Sequence, residues 1–438
     1  MSGSGKKYFI SNLGCPKNEV DGDALEYHLQ KRGFVRTYPE DADLLIVNTC
    51  GFIDDAKRES VHEILLFSMM KREGAKLAVT GCLSQRYRQE LTDVLPEADF
   101  LFGINSPEVM AMILDGDKTC EPQKTFTLDS KYREPDGRVI RPGSSYAYLK
   151  IADGCDNRCS YCAIPSIRGG YRSRAVDSVL EETEFLLSQG AKEIILIAQE
   201  TTRYGSDLGT GVNLETLIKQ LISDKRLKWL RLMYTHPARV SDELLEIISG
   251  NEQVCSYLDI PLQHISDNML KLMNRGVASE EVKNLIRNIR RYYPDIALRT
   301  TFLLGHPGEK DADFYQLLDF VEEIQFENLG CFIYSEEEAT KSESMPDKVP
   351  NDKAEERYAQ LTQIQFDIID SKNNKYEDKT IPVIIDEYDD ANKIYLCRTR
   401  FQAPEIDGIV NLEAEDNKFD VGDIVKAYIL MSDEYDFE

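Results

Sequence analysis

Three cysteines stand at 155, 159 and 162 in "DGCDNRCSYC", a CxxxCxxC spacing. Cysteine metal sites more often use four thiolates. A zinc ribbon pairs one CxxC with a second, and a bacterial ferredoxin run adds a fourth cysteine followed by proline. Here the next cysteine, Cys255, lies 93 residues further on. The chemistry this spacing fits is a four-iron cluster held by three thiolates, with one iron open to another ligand. Such a cluster is a reactive site.

A second set of three is spread wider. Cys15, Cys50 and Cys82 each close an apolar run that reads as a strand, in "KYFISNLGC", "DLLIVNTC" and "KLAVTGC". The intervals are 35 and 32 residues, one strand–helix unit each. In a parallel sheet the carboxyl ends of the strands share one edge, where open α/β sheets place their ligands. Buried core cysteines are common, but a core role does not require each to follow its strand beside Gly or Thr. Metal ligation is the stronger reading.

The elements that must position these thiols follow from periodicity. After each N-terminal strand comes a helical pattern: "VDGDALEYHLQKRG", stopped by Gly33, then "KRESVHEILLFSMMKREG", then "SQRYRQELTDVL". Residues 1–114 therefore read as a parallel α/β domain. Residues 115–145 are polar and punctuated by Pro and Gly, a linker or extended arm. From 146 the alternation resumes with "YAYLKIADGC", "KEIILIAQE", "WLRLMYTH", "YLDIPLQH", "IALRTTFLLGHPGE" and "LGCFIYS" as strands. Between the first two, "DSVLEETEFLLSQG" reads as a helix, with Ser178 and Glu181 as a capping box and Gly190 as its stop.

Six such units over 146–374, including a charged helix from 351, predict a partial (βα) barrel whose active face is the strands' carboxyl end. Polar groups gather there: Gln199, Glu200, Tyr234 to His236, Gln263, His264, His306, Gly308 and Glu309. From 375 to 438 short strands follow without helices, predicting a small antiparallel β-barrel. The whole is of α/β class with an all-β C-terminal module.

Composition narrows the function. The 438 residues carry a formal charge of −25 and ten cysteines. No apolar run approaches the roughly 18 residues of a membrane helix, and "MSGSGKK" reads as a polar leader rather than a targeting signal. Thiols kept in a chain without an export signal point to a reducing, cytoplasmic setting. The acidic surface repels nucleic acid.

The CxxxCxxC motif after a strand, in a (βα) series ending on the glycine-rich "TFLLGHPGE", resembles the radical S-adenosylmethionine (SAM) superfamily. That resemblance implies SAM bound at the open iron, Tyr161 against its adenine, and Gln199 and Gly305 lining its pocket. The whole chain resembles the methylthiotransferases. It implies a second 4Fe–4S cluster on Cys15, Cys50 and Cys82, a radical SAM domain holding the first on Cys155, Cys159 and Cys162, and a C-terminal TRAM module. "GCPKN" (14–18), "PLQH" (261–264) and "APEIDG" (403–408) are similar to the RimO branch. Its expected substrate is an aspartate of small-subunit ribosomal protein S-twelve, with an electron donor such as flavodoxin. The MiaB-like branch, which modifies tRNA adenosine, is the alternative, and a non-catalytic iron–sulfur carrier a more distant one.

Charge favours a basic protein partner over tRNA. Residues 375–438 hold 17 acidic and 7 basic side chains, a net of −10. Asp386, Glu387, Asp389 and Asp390 are the expected docking acids. Arg398 and Arg400 in "CRTR" are the dissent: they could touch RNA, but read better as a solvated strand face. "RGGYRSR" (168–174) could approach an anionic ligand or be solvated surface. Cys120, Cys255, Cys331 and Cys397 read as core or incidental, and His28 and His62 as structural.

Overall fold

A computed structural model describes residues 6–104, 106–116, 137–141, 143–413 and 419–438. Residues 1–5 of the expected leader and Cys120 lie outside these residues, as does most of the expected linker; Lys7, the leader's last residue, opens the first strand.

The N-terminal domain is an all-parallel five-stranded sheet. Its three longest strands, Lys7–Asn12, Leu44–Thr49 and Lys76–Gly81, are neighbours in that sheet. Leu44–Thr49 is buried at every residue, as expected of a central strand covered on both faces. The pairs Asn12↔Asn48, Asn48↔Thr80 and Thr49↔Gly81 align the three strand ends. In consequence Cys15, Cys50 and Cys82 emerge on one rim. Cys15 precedes the helix Pro16–Lys31 and Cys82 opens the helix Cys82–Arg86. The third expected helix is divided, since a second short helix, Arg88–Val94, begins after Tyr87.

The central domain supplies the six expected strands: Tyr146–Lys150, Glu193–Ile197, Trp229–Leu232, Tyr257–Asp259, Ala297–Leu304 and Asn328–Ile333. They pair in parallel in chain order as two triplets, joined by a bridge between Leu230 and Val254. One apolar core runs between these strands and the helices outside them.

Two expectations are corrected here. The first strand stops at Lys150, and Ala152–Asp153 turns away to pair antiparallel with Arg172–Ser173. The cysteine motif therefore sits on an excursion closed by that two-residue ladder. Ser178 does not cap the following helix: Val176–Ser188 starts two residues earlier, and the Ser178 hydroxyl accepts from Arg174. Gly190, with φ +107°, follows that helix as expected.

The C-terminal module is one six-stranded sheet, antiparallel apart from a single parallel pair. Its apolar face gathers Val383, Ile385, Tyr395, Cys397 and Phe437. The module docks where the barrel strands begin. Arg398 is buried and pairs with Asp386 of its own sheet and Glu193 of the barrel, at 2.5 and 2.8 Å. Arg400 donates to the Val254 carbonyl.

The "CRTR" arginines are thus interface anchors rather than a solvated face. Asp386 is likewise turned inward, toward Arg398 and Ser145. Asp389 caps its own turn by accepting from the Ala391 and Asn392 amides. Of the four expected docking acids, Glu387 and Asp390 remain exposed and project from the sheet.

Candidate active site

Two thiol triads approach one another across the boundary between the first and second domains. In the N-terminal triad the chains interlock so closely that only glycine fits. A Cβ at Gly14 would stand 2.7 Å from both Cβ and Sγ of Cys50, and one at Gly51 would stand 2.6 Å from the Leu83 Cα. Gly14 also has φ +85°, a left-handed conformation that favours glycine.

Arg168, from the expected basic loop, closes this triad. Its guanidinium lies 3.5 Å from Cys82 Sγ, and it pairs with Asp21 at 2.9 Å and Asp153 at 3.2 Å. Cys82 also packs on Ala163 and Ile167, one turn beyond the second triad. The helix Ile164–Arg168 is therefore the physical link between the two sets of thiols. Arg174 is spent on Glu182 and Ser178, and Arg172 donates to the Gly170 and Arg168 carbonyls. The loop organises the protein rather than solvating its surface.

Around the second triad, the Cys162 amide donates to the Cys159 carbonyl at 3.2 Å. Arg275 approaches Cys159 Sγ and the Tyr161 hydroxyl, both at 3.5 Å, while donating to the Pro261 carbonyl at 2.7 Å. Asn157, inside the motif, donates to the buried Glu200 carboxylate, which also receives Arg239 at 2.6 Å. Asp153 receives Gln199 Nε2 and the Gly154 amide, each at 3.0 Å.

These contacts set the charge of each group. Burial would raise the Asp153 carboxyl, but Arg168, Lys150 and Arg172 hold it well below the usual carboxylate range. Burial pushes Cys82 up to about 12 even with Arg168 beside it, Cys155 to about 11 and Cys162 to about 12. Cys15 moves the other way: burial opposes it, but Lys17, Arg168 and the Asn18 amide together lower it. Metal ligation removes the thiol proton, so the buried thiols are coupled to whatever they hold.

The remaining expected residues divide. Tyr161 stands edge-on to His306 at 6.3 Å, and His306 meets Ser160 Oγ at 2.9 Å and the Tyr334 ring at 5.3 Å. Gly305 has φ +77° and packs on Ala354 of the helix Asn351–Asn373, while its amide donates to Glu309. Glu309 also faces Arg357 at 3.4 Å, so it braces the turn. Tyr234 and Gln263, at the ends of adjacent strands, carry φ of 61° and 72°, strain of a kind that gathers at functional sites. Cys255 and Cys397 are buried in apolar clusters, as expected of core thiols. Spacing alone did not reveal Asp153, Asn157, Lys17 or Arg275. Asp153 and Asn157 were the most accessible of these, both lying within "DGCDNRCSYC".

Both triads fit a cubane cluster in donor chemistry: all six thiols are free, and the first three stand at aligned strand ends. Among the described residues, no three His, Cys, Asp or Glu side chains form a site for a single metal ion. That is compatible with a cluster, whose irons occupy separate corners and are each held by their own thiolate.

Comparison with known proteins defines the class first. Residues 149–321 match the Radical SAM superfamily, 7–103 the Uncharacterized protein family UPF0004 and 379–438 the TRAM domain. The fold is shared with the radical SAM methyltransferase TsrM of Kitasatospora setae, at TM-score 0.54 and 16% identity over 75% of each chain. It is shared too with the cobalamin-dependent enzyme OxsB, at 0.52 and 14% over 84% of this chain and 56% of that one. At such identities the likeness concerns the fold alone.

The sequence relatives are far nearer. A protein of Clostridium tetani is 41% identical over 98% of this chain and 97% of its own length. One of Geobacter sulfurreducens is 43% identical over 100% and 98%. Both are named "Ribosomal protein uS12 methylthiotransferase RimO". The chain belongs to the RimO family of radical SAM methylthiotransferases.

Proposed function

We propose that this enzyme inserts a methylthio group at an unactivated carbon of an aspartate side chain in ribosomal protein uS12. The observation that carries the reading is the juxtaposition of two cysteine triads, linked through Arg168, in a chain whose relatives bear that name over nearly their full length. We assign Cys155, Cys159 and Cys162 to a 4Fe–4S cluster open to SAM, and Cys15, Cys50 and Cys82 to a second one. When bound, these groups supply reductive SAM cleavage for hydrogen abstraction at one site and a held sulfur at the other.

The chain's own residues orient these partners. Arg275 fixes Tyr161 and Cys159 against the Pro261 carbonyl, and Glu200 fixes the motif through Asn157. Tyr161, Gln199 and Gly305 are the residues assigned to the SAM pocket. Gln199 supports this, because its Oε1 is buried without a partner and so is available to accept from a ligand. Among the described residues no helix is long and apolar enough to cross a membrane. The reading places the enzyme in the cytoplasm with a low-potential electron donor such as flavodoxin.

Anaerobically purified protein should carry about eight irons per chain, four for each cubane. Given reductant, SAM, uS12 and tRNA side by side, it should release deoxyadenosine and mark the uS12 aspartate. Methylthiolated adenosine in tRNA beside unmodified uS12 would overturn the substrate and leave the radical chemistry standing.

A further inference from the structure

Lys17 lies two residues beyond Cys15, on the first turn of the helix Pro16–Lys31, and is only 7% exposed. Nine lysines and arginines are buried among the described residues. Seven of them pair with carboxylates. Arg275 instead has the Pro261 carbonyl and Cys159. The Lys17 ammonium alone has no hydrogen bond and no ion pair to any described residue, although its backbone amide bonds to Cys15. Its Nζ rests 3.2 Å from the centre of the Tyr234 ring, across the boundary with the barrel.

A buried ammonium with no counter-ion in contact costs several kcal/mol, and an aromatic face recovers part of that; Asp259 and Cys15 feel its charge from further away. Its charge acts on Cys15 only at longer range, so contact with a thiol does not account for its place. The two cations in contact with thiols are Arg168 and Arg275, each reaching a sulfur at 3.5 Å, whereas the Lys17 ammonium reaches none. Its neighbours are arranged to keep it in place. Tyr234 holds a left-handed φ of 61°, and its amide donates to Asp259 at 2.8 Å.

We infer that Lys17 is the recognition residue for the carboxylate of the substrate side chain. The inference rests on the reading above that an aspartate is modified, and it deepens that reading by naming what selects the aspartate. The ammonium lies beside Cys15 and over a residue at a carboxyl end of the barrel. A carboxylate paired with it would present the adjoining carbon between the two thiol triads. Lys17 positions the substrate and takes no part in the electron or hydrogen transfers.

The test uses loaded holoenzyme, its iron content verified for every variant, and three substrates: uS12, uS12 with the target Asp→Asn, and uS12 with a distant surface Asp→Asn. Wild type should bind the target Asn protein roughly 10- to 100-fold more weakly than uS12, the effect of removing a charged hydrogen bond. The distant change should have no effect. Lys17→Met should raise KM for uS12 by a similar factor and abolish the discrimination between Asp and Asn. Lys17→Arg should restore part of it.

Equal binding of the Asp and Asn proteins by wild type would overturn the inference, whatever the variants do. So would retained discrimination in Lys17→Met. Failure of wild type to modify uS12 at all is a separate result, which overturns the functional reading itself.

Discussion

Arg168 is fully buried and answers to two domains at once, through Asp21 in the first and Asp153 in the second. Removing one partner from such a network leaves the others charged and desolvated, a loss of about 3–5 kcal/mol. Arg168→Met should therefore lower the denaturant midpoint and release iron from the N-terminal triad, which loses its cation at Cys82. Arg168→Lys should recover stability in part, because a point charge cannot reproduce the forked geometry. Iron per chain together with an unfolding curve checks both effects; full iron retention in the Met variant would refute the assignment.

His236 offers a pH signature at the same scale. Burial, with Arg275 and Arg239 adding to it, holds its imidazole down at about 3 against an ordinary 6.5. Between those values the unfolded chain takes up a proton that the folded chain refuses. Stability present above about pH 6.5 is therefore lost as pH falls, by about 2 kcal/mol at pH 5 for this group. His236→Gln should reduce the difference in unfolding free energy between pH 7 and pH 5 by that amount. An acid-side loss identical to wild type would show that His236 is not its source.

At the scale of elements, the cysteine loop depends on one crossing of backbone. Gly154 has φ +75°, and a Cβ there would stand 2.1 Å from the Gly170 carbonyl oxygen. Gly190 has φ +107° but nothing within 4 Å of its added Cβ. Gly154→Ala should displace the loop, so the variant should lose about half its iron, if each cubane is an independent thiolate site, together with SAM cleavage. Gly190→Ala should cost about 1 kcal/mol of conformational strain and keep both. Iron and deoxyadenosine measured on the pair decide whether space or dihedral is limiting.

The same scale shows what the sequence made legible. All six barrel strands were readable, because buried parallel strands are short apolar runs bounded by polar turns. The departure of Ala152–Asp153 from the first strand was not, because its partner Arg172–Ser173 lies on the far side of the motif. The six thiols were found through local spacing and strand ends. Their cations were not: Arg168 is 86 residues from Cys82, and Arg275 is 116 from Cys159. Periodicity carries no signal across such distances, and a single arginine among polar neighbours looks like surface until the fold closes.

For the whole molecule, the C-terminal module has two faces that its net charge alone conceals. Its inner face is part of the barrel's foundation: Asp407 receives the Tyr257 hydroxyl at 2.7 Å and lies 3.3 Å from Arg299, and Arg398 pairs with Glu193. Deleting 375–438 would expose those buried charges, so truncation cannot isolate docking. The outer face can be tested without touching the base. Glu387, Asp420 and Asp433 are exposed and form no ion pair among the described residues. If this face meets a ribosomal protein basic enough to bind RNA, attraction will steer encounter at low salt and fade as the Debye length shrinks. Combined Glu387→Lys, Asp420→Lys and Asp433→Lys should slow association with uS12 roughly ten-fold at low ionic strength and little at 0.5 M salt. Dissociation and SAM cleavage should barely change, since exposed rim charges act mainly on the on-rate. An association rate equal to wild type at every salt concentration would show that this face does not meet the substrate. A gain in tRNA affinity with uS12 association unchanged would show that the acidic face serves to exclude RNA rather than to recruit protein.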